Sequence, residues 1–194
     1  DGALAHLHGG LLNQSSLAAS LSLNAKRIKR NLDLLEGAFV VRQLQPWLAN
    51  LGKRLVRAPK VYLRDSGILH RLLGLDGREA VLSHPKLGAS WEGFAVEQVC
   101  AVLQVRPEEA FFWATHNGAE LDLLVEKGGK RRGFEMKWAD APKLTRSLRS
   151  ALQDLELESI TMLTPGTTEY MLHERIQVVP LQTWAKRALT ESAR

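Results

Sequence analysis

Cysteine is nearly absent from this 194-residue chain: Cys100 stands alone, which excludes internal disulfides and any cysteine-based zinc site and agrees with a reducing compartment. Long apolar runs are missing too. None approaches the roughly twenty residues of a membrane-spanning helix, and the first residues lack the charged-then-apolar order of a signal peptide, so a cytoplasmic protein without a membrane partner is expected. No methionine precedes Asp1, which suggests a portion of a longer chain. Internal repeats and low-complexity segments are lacking, as is any Ser/His/Asp set in a recognisable context. What is present is 45% hydrophobic content, enough for a real core in one domain or two small ones.

Charge is unevenly placed. Residues 1–75 carry eleven Lys/Arg against four Asp/Glu, whereas residues 76–194 carry fifteen against seventeen. A basic first part joined to a slightly acidic second part suggests that nucleic acid, if bound, meets the first part most strongly. A well-solvated basic surface accounts for the same numbers.

Hydrophobic spacing and capping residues divide the first part into short elements. A helix is expected over 3–12 with Leu4, Leu7 and Leu11 on one face, and a second over 17–21 capped by Ser15 or Ser16. After a turn at 22–24, Asn24 can cap a third helix ending near Gly37. Ile28, Leu32 and Leu35 face inward on that third helix, leaving Lys26, Arg27, Lys29 and Arg30 outside. Short helix, tight turn and basic helix are the parts of a helix-turn-helix, and strands expected at 39–44 and 53–56 follow in the order of a winged helix. Phosphate contact by Lys26, Arg27, Arg30, Lys53, Arg54 or Arg57 is the expected use of these cations, though winged helices also serve as protein-docking modules. A further strand over 58–63 and a helix over 68–73 lead to a Gly- and Pro-punctuated junction at 75–87. The domains expected are 1–75 and 76–194.

In the second part a helix is expected over 88–104. Glu92 shares a stripe with Val96, Val99 and Leu103, whereas Glu97 falls nearer the polar side. A carboxylate on an apolar stripe is costly to bury unless paired or bound to metal; at the first turn it can also simply favour the helix dipole. The stretch 120–138, ELDLLVEKGGKRRGFEMKW, then reads as a hairpin. With Gly128 and Gly129 as the central turn residues, facing positions have numbers summing to 257. Asp122 then faces Glu135, and Glu120 faces Lys137. Like charges directly opposed destabilise a sheet, so the Asp122/Glu135 pair calls for a bound cation or a nearby ammonium. A strand at 111–113, a helix marked by Leu144, Leu148, Ala151 and Leu155, strands at 159–163 and 176–181 and a closing helix at 183–189 complete an α/β sheet flanked by helices.

The run PKVYLRDSG (59–67), then GASWEGFAVE (88–97), Phe112-Trp113, Glu120-Leu-Asp122 and Glu135-Met-Lys137 resembles a large prokaryotic family of AAA-type ATPases whose C-terminal half is a domain of unknown function. The resemblance covers nearly the whole chain in order. It implies an ATPase module preceding a winged helix and a restriction-endonuclease-like domain; no Gly-x-x-x-x-Gly-Lys-Ser/Thr run occurs here, so that module would be a partner elsewhere in the longer chain.

Glu92, Asp122 and Glu135-x-Lys137 match the order of the PD-(D/E)xK nucleases. The three carboxylates would hold Mg²⁺, a hard cation that keeps waters and uses phosphate to complete its shell. Lys137, on the same side of the strand as Glu135, would orient or help deprotonate the attacking water. The reaction implied is DNA phosphodiester hydrolysis. Pairing of Lys137 with Glu120 competes with that role. Two alternatives stand beside it: a non-catalytic interaction or regulatory module, and a DNA-binding regulator whose second domain provides assembly, including an oligomer. The remaining candidates read as structural. His6 and His8 lack a metal partner set, His84 and His116 belong to loops, Cys100 to the core, and Lys127, Lys130, Arg131 and Arg132 to a hairpin tip that reads first as a solvated turn and second as a contact for a phosphate backbone.

Overall fold

The computed structural model describes residues 2–48 and 55–192. By backbone contacts the chain forms two units. The first comprises the residues up to Leu44 with Ala58–Phe94, and the second Gln45–Arg57 with Ala95–Arg194.

The first unit begins with helix α1 (Gly2–Leu7). It stops short of the expected residue 12 because Gly9 turns at φ 75°, a conformation glycine adopts without penalty, and the chain continues as strand β1 (Gly10–Leu11). Helix α2 (Gln14–Ser20) is capped by Asn13, which accepts from Ser16 N, rather than by Ser15 or Ser16. Asn24 caps α3 (Ala25–Gly37) through the N–H of Arg27, as its sequence suggests. Ile28 and Leu32 are buried on α3, and Lys26, Arg27, Lys29 and Arg30 are exposed. Strand β2 (Val41–Pro46) starts two residues later than expected and runs into the second unit. Strand β3 (Lys60–Leu63) pairs antiparallel with β2, Val41 opposite Leu63, and with β1, Gly10 opposite Val61. Asp65 caps α4 (Ser66–Leu72). The junction holds a helix of its own, α5 (Arg78–Ser83), entered through Gly77 without a side-chain cap. The core of this unit gathers Ala5, Leu17, Ile28, Leu32, Val61 and Leu69. Lys53 and Arg54, the first half of the strand expected at 53–56, lie outside the described residues, and Leu55 makes an isolated bridge with Thr115.

Helix α6 (Leu87–Val102) leads from the first unit into the second. There follow β4 (Ala110–Ala114), β5 (Glu120–Lys127), β6 (Lys130–Met136), α7 (Arg146–Asp154), β7 (Ser159–Thr164), β8 (Tyr170–His173), β9 (Ile176–Pro180) and α8 (Leu181–Ser192). The end of β2 pairs parallel with β4, and the order continues β5, β6, β7, β9, β8. The β4–β5, β5–β6 and β8–β9 pairs are antiparallel, and β6–β7 and β7–β9 parallel. The result is a large mixed sheet with α7 packed on β5 and β7, and α8 on β9 and β7. Crossover helix α7 supplies the parallel return that a short hairpin cannot make.

The hairpin has the anticipated register. Leu123 faces Phe134 and Lys127 faces Lys130, with Gly128 and Gly129 at φ 61° and 75°, positive at both positions as a type I′ turn requires. On β6, Gly133 is buried against the core: a Cβ there would lie 2.8 Å from Leu157 Cδ1, 3.0 Å from Ile160 Cγ1 and 3.2 Å from Leu121 Cδ2. Gly133→Ala is therefore expected to destabilise the protein by about 1–3 kcal/mol through overpacking. Urea unfolding would show a lower midpoint with an unchanged slope; an unchanged midpoint would mean that the leucines yield without cost.

Candidate functional site

The acidic residues stand on adjacent strands at the middle of the sheet, where β5 lies between β4 and β6 and both of its edges are paired. Asp122 and Glu135 are 5% and 7% exposed, one position beyond the last ladder pair, Leu123/Phe134. The ladder ends there because Asp122 Oδ2 accepts the N–H of Met136 at 2.8 Å. The next residue, Lys137, gives its N–H to Leu163 O on β7. Lys137 Nζ lies 2.7 Å from Glu135 Oε1, the geometry of residues two apart on one side of a strand. The ammonium that the opposed carboxylates call for is thus supplied by Lys137.

The backbone of Glu120 is held by α7. Its backbone N–H donates to Ser147 Oγ, whose hydroxyl donates back to Glu120 O, and it sits opposite Ala114 of β4. The start of β5 is thereby fastened to the first turn of α7. The hairpin-tip cations are engaged internally. Lys127 donates to Leu103 O and Gln104 O at the end of α6, and Lys130 approaches Glu158 at 3.6 Å. Arg131 reaches Glu126 and Leu155 O and stacks over Trp47. The exposed-tip reading therefore needs this addition: the tip is tied to its own unit.

In the first unit, Glu92 Oε1 accepts from Lys60 Nζ at 2.9 Å and from Tyr62 OH at 2.5 Å. The Lys60 side chain is 7% exposed and that of Glu92 17%. Of the two ways to accommodate a carboxylate on an apolar stripe, pairing is provided here by a lysine and a tyrosine on one face of β3. His8 completes the network. Its Nδ1 accepts from Leu63 N and its Nε2 lies 3.0 Å from Ala89 O, which sets the neutral tautomer with the proton on Nε2. Its ring meets Tyr62 edge-on. Burial lowers its pKa to about 4, the Ala89 carbonyl opposing and Lys86 and His70 adding to the shift. Sequence reasoning gave His8 a structural reading without its partners and passed over Lys60 and Tyr62 as partners of Glu92; the period-two placement of Lys60 and Tyr62 was the one available signal. Cys100 is buried and His116 exposed, as expected. His84 accepts the N–H of Lys86, and Glu97 is half-buried on α6.

Among the described residues, no three His, Cys, Asp or Glu side chains are grouped to hold a metal ion, and no helix is long and apolar enough to cross a membrane.

A chain with a small antiparallel sheet and helices in its first unit, and a mixed sheet with buried paired carboxylates in its second, belongs to the mixed α/β class. It belongs to the family described as Domain of unknown function (DUF4143), whose model matches residues 87–184. Residues 2–79 match a second model, Domain of unknown function (DUF8612). An uncharacterized protein of Mycobacterium bovis and one of Mycobacterium tuberculosis are each 49% identical over 177 residues, 91% of this chain and 40% of the relative. The chain thus spans about two fifths of the length of these curated relatives. No solved structure matches it.

Proposed function

We propose that the chain is the DNA-binding, nuclease-fold C-terminal portion of an AAA-type ATPase, in which Asp122, Glu135 and Lys137 form a Mg²⁺-dependent phosphodiester-hydrolysing site. The observation that carries this reading is the burial of two carboxylates on neighbouring strands with an ammonium 2.7 Å from one of them. Buried carboxylates are uncommon unless they are paired or bind metal.

The donor set suits Mg²⁺, which is held by one or two carboxylates and completes its shell with water and substrate phosphate. Asp122, Glu135 and the Met136 carbonyl are the groups that would hold it; what fits the described residues is a two-carboxylate site, with Glu92 engaged by Lys60. The metal would supply charge stabilisation at the scissile phosphate. Lys137 holds Glu135 in place and presents an ammonium beside it, able to orient the attacking water. The Met136 N–H fixes the Asp122 carboxylate.

DNA contact by the first unit rests on the order α2, turn, α3, then antiparallel β2 and β3, which is that of a winged helix, with Lys26, Arg27 and Arg30 exposed on α3. A second reading, a non-catalytic interaction or regulatory module, is favoured by the ammonium partners of Glu135 and Glu92, which balance the carboxylates without a metal.

Linear, branched and single-stranded DNA, incubated with Mg²⁺ or Mn²⁺, separate the two. Asp122→Asn preserves an oxygen acceptor for the Met136 N–H and should lower cleavage by at least ~100-fold, the scale of losing a few kcal/mol of transition-state stabilisation. Equal background cleavage by both proteins would leave the non-catalytic reading. Lys26→Ala/Arg30→Ala should weaken DNA binding and flatten the salt dependence by about two units of slope; an unchanged slope would assign this unit to protein docking.

A further inference from the structure

Where β6 ends, the chain enters the segment 137–149, KWADAPKLTRSLR, which differs in character from the half that contains it. Residues 76–194 have fewer Lys/Arg than Asp/Glu, fifteen against seventeen, yet this segment holds Lys137, Lys143, Arg146 and Arg149 against Asp140 alone. Lys143, Arg146 and Arg149 are exposed. Trp138, the residue after Lys137, is 43% exposed, although a large aromatic side chain ordinarily goes inside.

The segment is also anchored. Tyr170 OH donates to Pro142 O, and Thr145 caps α7 through the N–H of Leu148. Ser147 binds both backbone groups of Glu120. The Ser147 bonds fasten the first turn of α7 to the start of β5, two residues before Asp122, and the Tyr170 bond ties the loop to β8. Because β5 and β6 are antiparallel, the start of one and the end of the other share one end of the sheet. Trp138, Arg146 and the Asp122/Glu135 pair therefore belong to the same end, with the aromatic ring one residue beyond the lysine that holds Glu135.

We infer that Trp138 is a stacking platform for an unpaired base, and that Lys143, Arg146 and Arg149 take the adjoining backbone phosphates, making single-stranded DNA the substrate class of this site. The inference rests on the nuclease reading above. Its physical logic is that of sequence-independent single-strand recognition, in which a cationic track follows the backbone while aromatic faces accept bases. A duplex hides the faces of its bases in the stack and offers an exposed indole nothing to cover. The exposed Lys143, Arg146 and Arg149 place phosphate attraction at the end of the sheet that holds the carboxylates, whereas Lys127, Lys130 and Arg131 at the hairpin tip are engaged by Leu103 O, Gln104 O, Glu158 and Glu126.

The test is binding of fluorescein-labelled single-stranded and duplex oligonucleotides by the full 194-residue chain in EDTA at low salt, followed by anisotropy. Working without metal separates this inference from catalysis, which the Asp122→Asn comparison tests by itself. With the first unit's phosphate contacts removed by Lys26→Ala/Arg30→Ala, the chain should prefer the single strand. Trp138→Ala should lose about ten-fold or more of that affinity while keeping its affinity for duplex, Trp138→Phe should retain most of it, and Arg146→Ala/Arg149→Ala should reduce the salt slope for the single strand. Circular dichroism of each variant checks the fold. Unaltered single-strand binding by Trp138→Ala, or equal affinity for the two DNA forms once Lys26→Ala/Arg30→Ala has removed the first unit's phosphate contacts, overturns the inference and leaves the Asp122 cleavage test standing on its own.

Discussion

Replacement of Lys60 by methionine is expected to cost about 3 kcal/mol of unfolding free energy, the low end of what is lost when one partner of a buried ion pair is removed. The Lys60 and Glu92 side chains are 7% and 17% exposed and meet at 2.9 Å. Methionine occupies much of the volume of the lysine stem but leaves the Glu92 carboxylate with the phenol of Tyr62 as its named donor. The cost therefore arises from an uncompensated charge more than from lost packing. The double substitution Lys60→Met/Glu92→Gln removes that charge, and its amide oxygen can still accept from Tyr62. It should be less destabilised than Lys60→Met alone, so the two changes will be non-additive by at least about 1 kcal/mol. Urea unfolding of the four proteins gives the cycle. Additive losses would show that the two residues stabilise the first unit independently.

The hairpin was the most legible feature because its information is local. Two glycines at positions requiring positive φ fix the turn, and the turn fixes every pairing from Lys127/Lys130 to Leu123/Phe134. The Asn24 cap is legible for the same reason, as it acts on an N–H three residues away. Glu92 was visible as a residue in need of a partner, since periodicity along α6 places it with Val96 and Val99. Which partner it has was not visible: Lys60 is 32 positions away, and no periodicity links a strand to a helix across that interval. His8 was further out of reach, with bonds to Leu63 and Ala89 spanning 55 and 81 positions.

Local signals also misled where two of them competed. Leu4, Leu7 and Leu11 have helical spacing, but Gly9 and Gly10 interrupt the helix and Leu11 enters a strand. Serines suit a cap at 15 or 16, yet Asn13 takes the position and α2 starts earlier. At the candidate site, the expected facing of Glu120 and Lys137 lay beyond the point where the Asp122 side chain ends the ladder. A backbone rule does not anticipate a side chain that takes the place of a carbonyl.

Stability should fall steeply as the pH is lowered from 6.5 to 4, and His8 is the reason. In the unfolded chain this imidazole takes up a proton near 6.5, whereas in the folded protein burial holds its pKa at about 4. The unfolded state therefore binds the extra proton throughout that interval. His8 leaves stability undiminished above pH 6.5 and subtracts progressively below it, up to about 3 kcal/mol near pH 4, at no more than about 1.4 kcal/mol per pH unit. The surroundings reinforce the effect. Lys86 and His70 add positive charge, and Lys86 Nζ is held at the His6 and His8 carbonyls. The pKa of His70 is itself lowered by burial, with Asp65 opposing and His84 adding to the shift. Protonated His8 would also lose the acceptor lone pair that receives the Leu63 N–H, so its charging breaks a bond that joins the turn after α1 to β3. Urea unfolding of wild-type chain and His8→Gln at half-unit steps between pH 4 and 7.5 isolates this contribution from that of the carboxylates, which titrate equally in both. The variant should be less stable at pH 7.5 and show the shallower dependence, with the two curves converging toward pH 4. Parallel curves would assign the acid sensitivity to other groups.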